Sequence, residues 1–230
     1  MTAFVLPPPP IPSLAVRNMA ARFPIGRVFC IGKNYADHVV EMGGDPASDP
    51  PVVFLKPASS VVESPANLAY PKATRDLHHE VELVLALKAG EPRLDSVFGY
   101  AAGLDLTRRD LQAAAKAKGG PWDAAKSFEG AAIVSPIAPV ADIGHPERAR
   151  IWFEADGVTR QDGDIGQMIL KPLAVLQALD ALFDLAAGDL VFTGTPAGVG
   201  PLAPGAMGQG GVEGVGEVRL ALRPRDTAAP

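Results

Sequence analysis

Glu80 and Glu82 stand two residues apart at the head of the run Leu77-His-His-Glu-Val-Glu-Leu-Val-Leu-Ala-Leu87. Side chains alternate across a strand, so both acids share a face with Val84 and Ala86, while Val81, Leu83, Leu85 and Leu87 occupy the other. Neither face reads as wet. Two carboxylates entering such surroundings repel one another and lose hydration, costing several kcal/mol each unless a cation compensates. A hard divalent ion is the simplest compensation; the competing account is a strand that begins outside the core, with both acids solvated. Asp105 follows an apolar run and precedes a helix start, a position from which it could join them. Three carboxylates with waters make an oxygen-rich octahedral site suited to Mg²⁺ or Mn²⁺, whereas no Cys/His pairing has zinc spacing. Asp105 also reads as a plain helix-start turn residue.

His38 and Glu41 are three apart in a short helical stretch from about Tyr35 to Met42, which sets them side by side. A carboxylate beside an imidazole fixes its tautomer and raises its basicity, as a general base acting on water requires; an ordinary surface contact is the alternative. Lys126 is the lone lysine of Trp122-Asp-Ala-Ala-Lys-Ser-Phe128 and could stabilise an oxyanion or deliver a proton, or simply be exposed. Phe192-Thr-Gly-Thr-Pro-Ala-Gly-Val-Gly200 follows a buried strand; its glycines permit close backbone approach to a ligand, and Thr193 and Thr195 supply hydroxyls and amides. It lacks the Gly-Lys-Ser/Thr ending of a phosphate-binding loop. His78 and His79 flank the acids without an assigned role.

The elements that must position these groups are short. Strands are expected over Arg27–Ile31, Val52–Leu55, Val81–Leu87, Val97–Leu106, Asp189–Thr193 and Glu217–Leu222, with a hairpin turning at Asp156-Gly157. Three modest helices are expected: the one bearing His38, one from Arg108 to Lys118 opened by a capping-box-like Thr107/Asp110, and one from Pro172 to Leu185. Many short strands with few helices and no regular alternation indicate a β-rich α+β domain. Residues 1–24, with the proline run Pro7–Pro10, read as an N-terminal arm, and residues 25–230 as a single domain.

At 230 residues, with 47% apolar and 20% charged residues, the chain describes an ordinary soluble globular protein. Its net charge of −5 and sparse basic residues argue against nucleic acid as a partner. No apolar run is long enough to cross a bilayer and no signal-peptide pattern opens the chain, so a cytoplasmic protein without a membrane partner is expected. The single cysteine, Cys30, reads as a small core residue.

Taken in order, Val28-Phe-Cys-Ile-Gly-Lys-Asn-Tyr-Ala-Asp-His-Val-Val-Glu41, Asp76-Leu-His-His-Glu-Val-Glu82, Gly103-Leu-Asp-Leu-Thr-Arg-Arg-Asp-Leu-Gln112, Ala125-Lys-Ser-Phe128 and Phe192–Gly200 resemble the fumarylacetoacetate hydrolase family. The resemblance runs from about Ile25 to the end. It implies a central rolled, mixed β-sheet, a homodimer and a Mg²⁺ or Mn²⁺ site. It also implies Glu80, Glu82 and Asp105 as metal ligands, His38 and Glu41 as a dyad on a lid, Lys126 as the catalytic lysine, and Arg109, Gln112 and Thr195 as substrate contacts. Within the family the chain is similar to acylpyruvate hydrolases, and Arg108–Gln112, Pro121–Asp123 and Gly210–Gly216 look closest to the fumarylpyruvate hydrolases of gentisate catabolism. Pro204-Gly205-Ala206 departs from the family's usual Pro-Gly-Asp, outside the expected site. The implied activity is hydrolytic cleavage of a carbon–carbon bond in a small 2,4-diketo acid, such as fumarylpyruvate to fumarate and pyruvate. A distal carboxylate would need a cation, for which Arg109 and Lys33 are candidates. Acetylpyruvate hydrolysis, oxaloacetate decarboxylation and a catalytically silent metal-binding protein are the alternatives.

Overall fold

The computed structural model describes residues 4–48 and 50–225; residues 1–3 of the expected arm and 226–230 at the end of the expected domain lie outside them. The central sheet runs in the order Val52–Lys56, Val28–Gly32, Leu190–Phe192, Val81–Leu87, Val97–Asp105, Ala132–Val134 and Val61–Glu63, with Ala138–Pro139 also paired to Val97–Asp105. It is mixed: Leu190–Phe192 runs parallel to Val28–Gly32, and Ala132–Val134 parallel to Val61–Glu63, the remaining pairs being antiparallel. The expected β-rich α+β fold, with a central mixed sheet and few helices, is the one observed.

Every residue of Val81–Leu87 is buried, and the period-two alternation explains how both faces are covered. Val81, Leu83, Leu85 and Leu87 enter a large core shared with Ile151, Phe153, Val218 and Leu220 of a second, five-stranded sheet. Val84 and Ala86 face a smaller cluster with Val28, Cys30, Leu190 and Phe192. Leu14 of Ser13–Ala15 and Phe23 of Arg22–Pro24, two paired strands within the segment expected as an arm, join that smaller cluster. A third, three-stranded sheet of Thr107–Arg108, Leu77–His79 and Gly200–Leu202 crosses the end of the central strands where the acids lie.

Three local expectations need correction. Thr107 and Asp110 form no capping box. Thr107 pairs with His78 in the small sheet, and Asp110 accepts instead from the Thr74 hydroxyl at 2.6 Å and the Arg75 amide at 3.0 Å, so the helix Arg109–Lys118 starts without a side-chain cap. The helix at Pro172 ends at Asp180, short of Leu185. Asp123–Lys126 and Val140–Ile143 add two helical turns too short to show a 3.6-residue pattern. No helix among the described residues is long and apolar enough to cross a membrane.

Candidate active site

The acids converge. Glu80 sits between Leu77–His79 and Val81–Leu87, Glu82 is the second residue of Val81–Leu87, and Asp105 ends the neighbouring strand, its amide donating to the Glu80 carbonyl at 2.8 Å. One carboxylate oxygen from each lies within 4.8 Å of the others, and all three residues are buried. Their environment is strongly charged. Lys126 Nζ lies 2.8 Å from Glu80 Oε2 and 2.7 Å from Asp105 Oδ2, and the Arg109 guanidinium donates to Glu80 Oε1 at 2.5 Å. Lys56 Nζ is 2.8 Å from Asp105 Oδ1, but that oxygen receives no hydrogen bond. Lys56 instead donates to the Lys126 carbonyl.

These neighbours divide the two glutamates. Burial pushes both carboxyls up, but Lys126 and then Arg109 and His38 outweigh it at Glu80 and hold that group well below the usual range. At Glu82 burial is reinforced by Asp105 and Glu80, so its carboxyl is raised well above the ordinary value, even though Oε2 accepts from the Gly194 amide at 2.6 Å. Without a metal the protonated form of Glu82 is therefore favoured, and a divalent cation would compensate the same repulsion. Three close buried carboxylates, one with an oxygen lacking a hydrogen bond, fit a hard oxygen-binding ion such as Mg²⁺ or Mn²⁺.

His38 and Glu41 lie on the helix Ala36–Glu41, with His38 Nδ1 2.9 Å from Glu41 Oε2. The other Glu41 oxygen accepts from the Gly198 amide at 2.9 Å, so one carboxylate both orients the imidazole and ties the helix to the glycine loop. Gly194 begins that loop at φ +96°, where a Cβ would come within 2.8 Å of Asn34. Asn34 locks the crossing by donating to the Leu170 and Thr193 carbonyls and accepting from the Leu170 amide at 2.7 Å.

A cleft of about 370 Å³ is lined by Lys33, His38, Glu80, Glu82, Asp105, Arg109, Gln112, Lys126 and Thr195. Of the expected site residues, Glu41 alone stands behind its wall, holding His38. Arg109 is occupied by Glu80 and by Gln112 Oε1 at 2.5 Å, which leaves it a poor receiver for a distant carboxylate.

Two functional neighbours were not singled out from the sequence. Lys56 is fully buried, but in Phe54-Leu-Lys-Pro57 it reads as a strand-end lysine before a loop. Gln161 looks solvent-facing beside Arg160 and Asp162, yet is wholly buried. Its Oε1 accepts from the Val81 amide at 3.1 Å and its Nε2 donates to the Pro196 carbonyl and to Thr195 Oγ1 at 2.8 and 2.7 Å. The amide orientation is thus fixed by two backbone groups. His79 Nδ1, 2.9 Å from the same Oε1, must carry the proton, and Thr195, its oxygen already accepting, keeps its own proton for a ligand in the cleft.

Burial drives the His79 pKa from 6.5 down to about 4 in spite of its bond to Gln161, so the ring is neutral when folded. Between those values the unfolded chain binds the extra proton. The contribution to stability is therefore complete above about pH 6.5 and lost as pH falls toward 4. His79→Asn, whose side-chain amide can still donate to Gln161, is expected to escape about 2–3 kcal/mol of the stability that the wild type loses between pH 7 and 4.5. Urea unfolding at the two pH values measures it; equal losses in both proteins would show that His79 is not the titrating group.

The family model described as fumarylacetoacetate (FAA) hydrolase C-terminal matches residues 27–228. A crystal structure of fumarylpyruvate hydrolase from Pseudomonas aeruginosa, in complex with Mn²⁺ and pyruvate, is similar at a TM-score of 0.94 and 40% identity, covering 97% of this chain and 100% of that one. Among curated proteins, the mitochondrial oxaloacetate tautomerase FAHD1 of Arabidopsis thaliana is 38% identical over 205 residues, which is 86% of this chain and 92% of the relative. Oxaloacetate tautomerase YcgM of Escherichia coli is 37% identical over 190 residues, 80% of this chain and 86% of the relative.

Proposed function

The chain belongs to the fumarylacetoacetate hydrolase family, a family of enzymes, and from that premise we propose that it is a divalent-metal-dependent hydrolase cleaving the carbon–carbon bond of an acylpyruvate, with fumarylpyruvate as the leading substrate. The observation that carries the reading is the juxtaposition in one cleft of the buried Glu80/Glu82/Asp105 set, Lys126, and an imidazole anchored on a carboxylate. The neighbour that holds Mn²⁺ and pyruvate supports it, because pyruvate would be one product here.

Glu80, Glu82 and Asp105 would hold Mg²⁺ or Mn²⁺, which would supply Lewis acidity toward the keto acid. The Thr195 hydroxyl proton and the Gln112 side chain orient the substrate's pyruvoyl end. His38, with Nδ1 fixed on Glu41, uses Nε2 to take a proton from a water that adds to the distal carbonyl. Lys126 stabilises the oxyanion from a site with almost no access to solvent, where a fixed ammonium is worth more than in water. Collapse of the adduct breaks the C–C bond, releasing the acid of the tail and the enolate of pyruvate, whose methylene carbon takes up the proton held by the dyad.

The tautomerase relatives favour a second reading, in which proton transfer on oxaloacetate uses the same metal set and lysine without an attacking water. Fumarylpyruvate, acetylpyruvate and oxaloacetate assayed with Mn²⁺ or Mg²⁺, and after exhaustive chelation, separate the readings. Metal-dependent release of pyruvate from the acylpyruvates is expected, with fumarylpyruvate preferred. Oxaloacetate enol–keto exchange without acylpyruvate cleavage would establish the second reading. Undiminished turnover in metal-free protein would remove the metal from both.

A further inference from the structure

Three cations that line the cleft, Lys33, Arg109 and Lys116, have no place in that mechanism. Arg109, Gln112 and Lys116 are spaced at i, i+3 and i+7 on the helix Arg109–Lys118, and all three line the cleft. Arg109 is engaged by Glu80 and Gln112, Lys126 by Glu80 and Asp105, and Lys33 is also engaged. Lys116 is exposed at the cleft mouth and has no carboxylate within ion-pair reach among the described residues; its ammonium rests 5.1 Å from the Trp122 ring centroid. Trp122 in turn packs on Phe54, ring centroids 5.8 Å apart, and Lys126 Nζ sits 4.9 Å from the Phe54 ring. The two lysines therefore close the ends of one aromatic strip. Along the helix Lys116 lies roughly 10 Å beyond Arg109, by the rise of 1.5 Å per residue.

We propose that Lys116 is a specificity-determining residue that receives the terminal carboxylate of an acylpyruvate whose flat, unsaturated tail lies along Phe54 and Trp122. This deepens the hydrolase reading and rests on it for the placement of the pyruvoyl end. The strip suits a planar conjugated tail that ends in a carboxylate. An acetyl tail offers neither the flat surface nor the charge. Partial desolvation and then repulsion from Arg109 lower the pKa of Lys116, a cost that a bound anion would relieve.

The test compares wild type, Lys116→Met and Lys116→Arg, each loaded with Mn²⁺, by steady-state kinetics and by calorimetric titration at low temperature with fumarylpyruvate and acetylpyruvate. Lys116→Met is expected to reduce the fumarylpyruvate-to-acetylpyruvate ratio of kcat/KM by about 10–100-fold, the scale of a lost charge-assisted hydrogen bond, chiefly through KM. Lys116→Arg is expected to recover most of the ratio. A ratio within twofold of wild type in Lys116→Met, a wild type without preference for the anionic tail, or a kcat-only effect overturns the assignment. Calorimetry reads binding without turnover. A wild type that cleaves neither compound yet prefers fumarylpyruvate through Lys116 would therefore refute the hydrolase reading and uphold the role of Lys116.

Discussion

Asp105→Asn is expected to lower kcat/KM for acylpyruvate cleavage by at least about 10³-fold and to abolish stabilisation by Mn²⁺. The change keeps the shape of the side chain and removes one of three ligand charges. It also strips both buried lysines, Lys56 and Lys126, of a counter-charge, since their ammonium groups lie 2.8 and 2.7 Å from the two oxygens of this one carboxylate. Lys126 keeps Glu80, but Lys56 loses the one carboxylate it pairs with among the described residues; breaking a buried pair in this way costs about 3–5 kcal/mol, so the metal-free variant is expected to melt lower than metal-free wild type. The two effects separate in a thermal-melt series. Addition of Mn²⁺ is expected to raise the melting temperature of wild type and leave Asp105→Asn unmoved. Glu82→Gln supplies the contrast. Burial, Asp105 and Glu80 favour the protonated form of Glu82 without metal, so its neutral amide analogue is expected to match metal-free wild type in stability while binding Mn²⁺ poorly. An Asp105→Asn protein that retains Mn²⁺-dependent turnover would dismantle the ligand set.

His38→Ala is expected to reduce acylpyruvate hydrolysis by about 10²–10⁴-fold, the usual range for losing a positioned general base. The Mn²⁺-induced rise in melting temperature is expected to persist, because His38 supplies none of the three carboxylates. If oxaloacetate is also processed, its turnover is expected to be less sensitive, since no water must be activated. Measuring both substrates in the same variant decides whether His38 serves the water or the enol. Hydrolysis within a few fold of wild type would refute its role as base.

Much of this site was legible because its residues break local patterns. Glu80 and Glu82 are conspicuous since Val81–Leu87 has no polar face to excuse them, and the burial of every residue there turns that oddity into a cluster. His38 and Glu41 were visible as an i, i+3 pair, and the family's order of motifs joined them to Asp105 and Lys126. Lys56 and Gln161 gave no comparable signal. Lys56 reaches Asp105 only because Val52–Lys56 pairs with Val28–Gly32 in a register that sets it opposite Val28. Gln161 reaches a loop 34 residues away and a strand 80 residues away, from within a hairpin whose neighbouring residues are solvent-facing. Local periodicity describes an element and its wet face; it carries no information about contacts made across the chain. The failed capping box at Thr107 has the same origin, since a nonlocal strand pairing and Thr74 claimed both of its members.

The placement of Leu190–Phe192 between Val28–Gly32 and Val81–Leu87 bears on how the protein can be made. On the ribosome, both flanking strands emerge long before the one that joins them. Until residues 190–192 clear the exit tunnel, the nascent chain carries two apolar strands with unmatched edges, the kind of surface that seeds aggregation. The Gly194 and Thr195 side of the cleft follows immediately behind that strand, so a truncated chain has neither a closed sheet nor a finished active site. Expression yield should therefore depend on chaperones that shelter the nascent chain until residues 190–192 emerge, and enzymatic competence should arrive abruptly after them.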